Sequence, residues 1–442
     1  MKTIIQNATI INEGKKFTGS VLIHDELISL ISATEIETQA DNIIDASGLL
    51  LIPGVIDDQV HFREPGLTHK GDIYSEAKAG IAGGVTSFME MPNTVPQTVT
   101  ISLLDEKYKR ASEVSLANYS FYIGATNNNL DEVLKADPRN VCGIKCFMGS
   151  STGNMLVEGS GLEDLFRNAH MLVATHNEEE TVIQANIKLF REEYGEEVPV
   201  SCHPLIRSVE ACYNSTAKAI DLASKYNTRL HTLHLSTAKE MELFSAGNIA
   251  NKRITNEVCV HHLWFDDRDY EKLGNKIKWN PAIKSEKDKI ALQEAVNSGK
   301  IDIVATDHAP HTREEKNNSY FKSPSGGPLL QHSLPAMLEL SNKGIFKIEK
   351  VVEKMCHLPA LLFDIPNRGF IREGFKADLV LVDPNLNWIV EPNNVLYKCG
   401  WSPFEGVVFH NSIHSTFVNG HLVYNKGLFN EDKKGQRLSF NR

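Results

Sequence analysis

No run of apolar residues in this 442-residue chain approaches the ~20 that a helix needs to cross a bilayer, and the N-terminus lacks the apolar core of a signal peptide. The expectation is a cytoplasmic protein with no membrane partner. Positive charge is also in short supply. With 46 Lys and Arg against 56 Asp and Glu, the formal net charge is -10, which argues against a nucleic-acid surface while leaving room for a local basic pocket. The seven cysteines are odd in number and scattered, so a reducing compartment is expected and a disulfide framework is not. Cys142 and Cys146 stand near each other with no second pair to join them, and they read as small buried residues. No Gly-x-Gly-x-x-Gly follows any predicted strand, which weakens a dinucleotide-binding reading. No biased tract suggests disorder, and 41% hydrophobic residues suit a globular protein.

What is present is strand and helix in alternation. The chain is too long for one ordinary core, so one large and one smaller domain are expected. Residues 3–11, 19–24 and 27–32 read as short strands. The C-terminal part has the same character: 377–383 is a strand stopped by Pro384, and 415–418 and 421–424 flank Asn419-Gly420, a strong hairpin signal. The two chain ends are therefore expected to join in a small β-sandwich-like domain, residues 1–52 with 365–442. Between them, strands are predicted at 55–59, 85–89, 119–124, 143–147, 171–175, 229–233, 254–258 and 301–305. Helices are predicted between these strands, including 73–82, 209–226, 238–245 and 286–297. That alternation predicts an α/β fold, a (β/α)8 TIM-like barrel over 53–364.

A barrel of this kind collects its functional side chains at the C-terminal ends of its strands. The first strand runs into Asp57-Asp58-Gln59-Val60-His61-Phe62-Arg63, where alternation places Gln59, His61 and Arg63 on one side. Asn93 follows the second strand, Lys145 lies on the fourth, and His176, His234 and Asp307 end the fifth, sixth and eighth. A lone His at a strand end is more often structural than a ligand; their recurrence on one rim points to a metal site. Nitrogen and oxygen donors without thiolates suit Zn²⁺, and an open coordination position would acidify water and polarise a carbonyl. Asp307 is placed to act as general base and then acid. Its reading as a helix N-cap is weaker, since Pro310 follows and no helical pattern begins there. Lys145, on an interior strand, needs a carboxylate partner or must lose its charge and react with CO2. The residues leave both outcomes open.

The stretches Asp57 to Gly66, Met91-Pro92-Asn93-Thr94, the Lys145 strand, His231 to Thr237, Glu257 to Leu263, Asn280-Pro281 and Thr306 to His311 resemble the dihydroorotases of the amidohydrolase superfamily. The resemblance covers nearly the whole chain. It implies reversible cyclisation of N-carbamoyl-L-aspartate to L-dihydroorotate plus water, in pyrimidine (UMP) biosynthesis, with a small-molecule substrate as partner. It further implies that His61 and Asp307 ligate the more buried zinc ion, with Asp307 also shuttling the proton. Lys145 corresponds to a lysine carrying a CO2-derived carbamate between two zinc ions, with His176 and His234 on the second. Arg63, Asn93 and His311 would bind the substrate's carboxylate and Asn280 its pyrimidine edge. The loop Ser325-Gly326-Gly327-Pro328 suits either an approach to the substrate or a simple turn.

One departure matters: the family has His-x-His where this chain has Gln59-Val60-His61. Two zinc ions with Gln59 as a weak oxygen ligand, one zinc only, or no turnover are the outcomes it leaves. Lys70-Gly71 is a smaller departure, at a place where the family often has an acidic residue after the Lys. The rival activities are those of a dihydropyrimidinase, hydantoinase or allantoinase, against which Arg63 favours a substrate with a free carboxylate. A non-catalytic dihydroorotase-like subunit is the rival from another class, and only Gln59 points towards it. Apolar faces on helices outside the barrel leave a homo-oligomer open.

Overall fold

Parallel strands carry the middle of the chain, in a computed structural model that describes residues 1–150 and 155–442. They are Val55–Val60, Val85–Glu90, Asn118–Phe121 continued by Ile123–Gly124, Ile144–Phe147, Val173–His176, Leu230–Thr232, Ile254–Cys259 and Ile303–Ala305. Two ladders form, one over the first three strands and one from Ile123–Gly124 to the last. Two backbone hydrogen bonds join them into a ring. Tyr122 donates its N–H to Glu90 O at 3.0 Å, and His61 donates to His308 O at 2.7 Å. Nearly every strand position is buried, because helices cover the outside and side chains fill the inside. The fold is thus an α/β barrel.

The helices begin where capping chemistry allows. Asp72 accepts from the Ser75 N–H at 2.7 Å and opens Ile73–Ala82. Ser208 caps Val209–Tyr226, which Asn227 ends in the left-handed region. A reciprocal Ser285–Asp288 box starts Glu286–Ser298. The helix expected over 238–245 is instead a short 3₁₀ turn, Glu240–Leu243. The buried Glu240 carboxylate accepts from Thr216 Oγ1 at 2.8 Å and Thr237 Oγ1 at 2.9 Å, and this inward anchor overrides the helical pattern.

A nine-stranded sheet takes strands from both ends of the chain. Lys2–Asn12 pairs antiparallel with Lys15–His24 and parallel with Leu50–Pro53, and Leu50–Pro53 pairs antiparallel with Leu379–Asp383. Ser412–Val418 and His421–Asn425 form the hairpin signalled by Asn419-Gly420, whose φ angles are 48° and 74°. Glycine is required at 420, because a Cβ there would lie 1.9 Å from Asp25 O.

Candidate active site

The strand ends open onto a cleft with ≈ 400 Å³ of empty space. Every sequence-predicted site residue except His311 lines it: Gln59, His61, Arg63, Asn93, Lys145, His176, His234, Asn280 and Asp307. Phe147, Trp279, Ala309, Ser325 and Gly326 complete the wall, so the loop at 325–328 does approach the site. Asp57 ties the first and last strands together beneath the mouth, accepting from the N–H of Gln59 at 3.1 Å and of Thr306 at 3.4 Å. Three non-glycine residues of the mouth, Arg63, His234 and Asp307, hold φ angles of 72°, 39° and 48°. Such strain persists only where the surroundings over-determine it, and it gathers at functional sites. For Arg63 it also corrects the reason for its placement. The strand stops at Val60, so a turn, not alternation, brings the guanidinium to the cleft.

One half of the site is built on His61. Its Nδ1 lies 2.6 Å from Asn93 Oδ1, an acceptor, so the ring proton sits on Nδ1. Its Nε2 then presents a lone pair to Asp307 Oδ1, 3.1 Å away. Burial, with Arg63 and Lys145 nearby, drives the His61 pKa well below the usual value and keeps the ring neutral. Burial also pushes the Asp307 carboxyl up to about 7, against the pull of Lys145. Two acceptors facing each other require a proton or a cation between them.

The other half pairs His176 with His234, whose Nδ1 and Nε2 lie 2.9 Å apart. The far nitrogen of His176 faces Glu178 Oε2 at 3.1 Å, and Glu178 is paired in turn with Arg207. The 3.1 Å approach lacks hydrogen-bond geometry, so it does not by itself fix the tautomer, but a carboxylate standing behind an imidazole is an arrangement typical of metal-ligating histidines. The Nδ1 of His234 is buried without a hydrogen-bond partner among the described residues. Lys145 is 1% exposed, and its ammonium stands 4.5 Å from the Phe147 ring centre. Among the described residues no carboxylate reaches it for an ion pair, and burial lowers its pKa to about 8 despite Asp307 and Glu257. The donor chemistry therefore fits a divalent cation: neutral imidazoles, a carboxylate and a lysine set to shed its proton, converging on one cleft.

The third part of the site is cationic. Arg63 is 2% exposed and donates Nε–H to Pro310 O at 3.0 Å. Its Nη2 lies 3.0 Å from His311 Nε2, but that nitrogen is also 3.0 Å from Ser325 O. Lys70 Nζ faces the other ring nitrogen at 3.1 Å and pairs with Glu315 at 2.8 Å. With Lys70 donating to Nδ1, the proton of a neutral His311 belongs on Nε2 and goes to Ser325 O. Arg63 is then left without an acceptor there. Among the described residues no carboxylate pairs with Arg63, so a buried guanidinium awaits an anion. His311 does not line the cleft; it stands behind Arg63.

A further convergence was assigned no role from the sequence. Asp58, His231 and Glu257 place one donor atom each within 4.8 Å of one another, all buried. His231 Nε2 is 3.4 Å from Asp58 and 3.3 Å from Glu257; burial lowers its pKa, but these two carboxylates outweigh that and hold it up to about 9. Glu257 also accepts the backbone N–H of His234 at 3.2 Å, so this cluster braces a mouth residue from below. Glu178 and Arg207 were likewise missed. The only local signal was a carboxylate two positions past a strand-end histidine.

The pattern of the amidohydrolase family matches residues 50–423. The chain is 33% identical to a dihydroorotase of Halobacterium salinarum, over 81% of this chain and 82% of that one. It is 30% identical to a dihydroorotase of Pyrococcus furiosus, over 99% and 96%. Among solved structures, an L-hydantoinase (dihydropyrimidinase) from Arthrobacter aurescens superposes with a TM-score of 0.93 at 28% identity, covering 99% of each chain.

Proposed function

The chain belongs to the amidohydrolase family, and from that premise we propose that this cyclic-amide hydrolase is a dihydroorotase, interconverting L-dihydroorotate and N-carbamoyl-L-aspartate. The observation that carries this choice of substrate is Arg63, a buried guanidinium on the cleft wall that no carboxylate of the described residues pairs with. Burial lowers its pKa only to about 10, so it remains charged at neutral pH. A ring bearing a free carboxylate supplies the missing anion in the planar geometry that a guanidinium prefers. Dihydrouracil, hydantoin and allantoin carry no such group.

In the hydrolytic direction Asp307 takes a proton from the attacking water and returns it to the departing ring nitrogen as the amide C–N bond breaks. A carboxyl with a pKa of about 7 can do both near neutrality. Arg63 fixes the substrate's carboxylate, and Asn280, whose buried Oδ1 has no hydrogen-bond partner among the described residues, is free to accept from a ring N–H. Asn93 holds His61 in the tautomer that turns Nε2 to the cleft. Zinc, as one or two ions, would be held by His61 and Asp307 and by His176 and His234, and Lys145, as its CO2-derived carbamate, would add a further oxygen donor. When bound, zinc supplies Lewis acidity towards the ring carbonyl and towards water.

The reading extends to a protein of the cytoplasm acting on a small molecule, with 1–52 and 365–442 forming one domain and 53–364 the other. No helix of the described residues is long and apolar enough to cross a membrane. The likeness to L-hydantoinase favours a second reading, a hydantoinase, in the same cleft. Steady-state hydrolysis of L-dihydroorotate beside hydantoin and dihydrouracil decides between them. We expect dihydroorotate to be preferred in kcat/KM by about a hundredfold or more. Equal or better turnover of the neutral rings would transfer the assignment to the second reading.

A further inference from the structure

Gln59 occupies the place where the resembling family carries its first strand-one histidine, yet its amide is already committed on both sides. Nε2 faces Asp307 Oδ1 at 3.3 Å. A carboxylate accepts and an amide nitrogen donates, so the neighbour fixes which end of the amide points there. Oε1 is thereby turned to the opposite side, where Cys259 Sγ lies 3.6 Å away and can donate its S–H. All three side chains are buried, and Cys259 lies off the cleft wall that Gln59 and Asp307 line. Turning the amide over would set its oxygen against the carboxylate, a repulsive contact, and would leave its N–H facing the Cys259 sulfur, a weak acceptor whose S–H also has Glu257 Oε1 within 4.0 Å.

We propose that Gln59 is a positioning residue for Asp307 and not a metal ligand, its amide held in orientation by Cys259. Asp307 then receives Gln59 from one side while facing His61 Nε2 at 3.1 Å on the other. The His61 half of the site has one protein donor fewer than a His-x-His site, and the His176–His234 half keeps its full set. Zinc will accordingly fill in two steps, the tighter at His176 and His234. This rests on the reading of Asp307 as the proton shuttle, but its first test needs no substrate.

Apo protein is titrated with Zn²⁺ by equilibrium dialysis, wild type beside Gln59→Leu. The number of ions should be unchanged, the site at His176 and His234 should keep its dissociation constant within about twofold, and the His61 side should weaken by no more than the roughly 10- to 100-fold that loss of a partner behind a ligand produces. A lost ion, or a weakening centred on His176 and His234, would overturn the proposal. On whichever cyclic amide the wild type hydrolyses, Gln59→Leu should lower kcat roughly 10- to 100-fold with little change in KM, as expected when a reacting group is misplaced. An unchanged kcat would equally overturn it. Cys259→Ala should lower kcat in the same sense and Cys259→Ser, which keeps a donor, should restore it. If both Cys259 variants match wild type, the thiol has no part in orienting the amide. If the wild type leaves dihydroorotate intact, the substrate assignment fails while the zinc titration still reads Gln59.

Discussion

Among the regions of this molecule that bury charge, two treat it in opposite ways. At the junction of the barrel with the terminal sheet, the Asp378 carboxylate is fully provided for. Arg368 and Asn118 Nδ2 donate to one oxygen, the latter at 3.2 Å, and the Asn419 N–H donates to the other at 2.7 Å. At the barrel mouth, Arg63 and Lys145 are buried cations that no carboxylate of the described residues pairs with, and His61 presents a lone pair to a carboxylate. The mouth also holds the strained backbones of Arg63, His234 and Asp307. Satisfied polar groups under a sheet stabilise one arrangement of the chain. Unsatisfied ones around a cleft leave interaction energy for a ligand, which is what makes the mouth a site and the junction a joint.

The sharpest way to break this comparison is to exchange the consequences. Asp307→Ala should cut kcat for dihydroorotate by about 10³-fold or more, the scale on which general acid–base catalysis operates. Its thermal midpoint should stay within a few degrees of wild type, because the lost carboxyl was itself costly to bury. Asp378→Ala should do the reverse. Removing one member of a buried ion pair costs about 3–5 kcal/mol, read as a lower urea midpoint, with kcat per folded molecule unchanged. If Asp378→Ala lost activity without losing stability, the division between joint and site would be wrong.

A smaller effect tests the anion half of the mouth. Arg63→Met should raise KM for dihydroorotate roughly a hundredfold, the value of a charge-assisted pair in a dry site. It should relieve a buried charge at the same time, so denaturation should show a protein no less stable than wild type. A destabilised Arg63→Met with an unchanged KM would make Arg63 another Asp378, a structural cation.

How much of this was legible beforehand follows the same division. The strand ends were readable because Gln59, His61, Lys145, His176, His234 and Asp307 interrupt apolar runs, and a polar residue ending a buried strand needs a reason. The barrel was readable from the alternation, and the hairpin from Asn419-Gly420, because those are local patterns. What was not readable is pairing between distant residues. Nothing near Glu178 in the chain announces Arg207, and nothing near Asp58 announces His231 and Glu257. Each such pair exists only once the ring closes. The helix expected over 238–245 failed for the same reason, since Glu240 answers to Thr216 on another helix. His311 shows the converse: the motif placed it at the right loop, but only geometry puts it behind Arg63 and not in the cleft.

The smallest expected effect concerns Lys145, and it separates a buried amine waiting for CO2 from a buried ammonium waiting for a carboxylate. Only the neutral amine attacks CO2, forming the N–C bond and releasing a proton. Burial lowers the Lys145 pKa to about 8, so below that pH the neutral fraction rises about tenfold per pH unit. Above it the fraction is nearly complete. An ordinary lysine would keep rising towards ~10.4. Apo protein supplied with zinc and ¹³CO2 at fixed dissolved concentration should therefore form carbamate, followed by its ¹³C resonance, at an initial rate that climbs from pH 6 and levels near pH 8. His61 and His234 stay neutral throughout, because burial holds both well below their usual pKa; Asp307, whose carboxyl titrates near 7 beside Lys145, is taken out of the reading by repeating the series with Asp307→Asn. A rate still climbing at pH 9.5, or a signal that survives Lys145→Ala, would place the reactive amine elsewhere. Lys145 would then join Asp378 as a charge kept for structure.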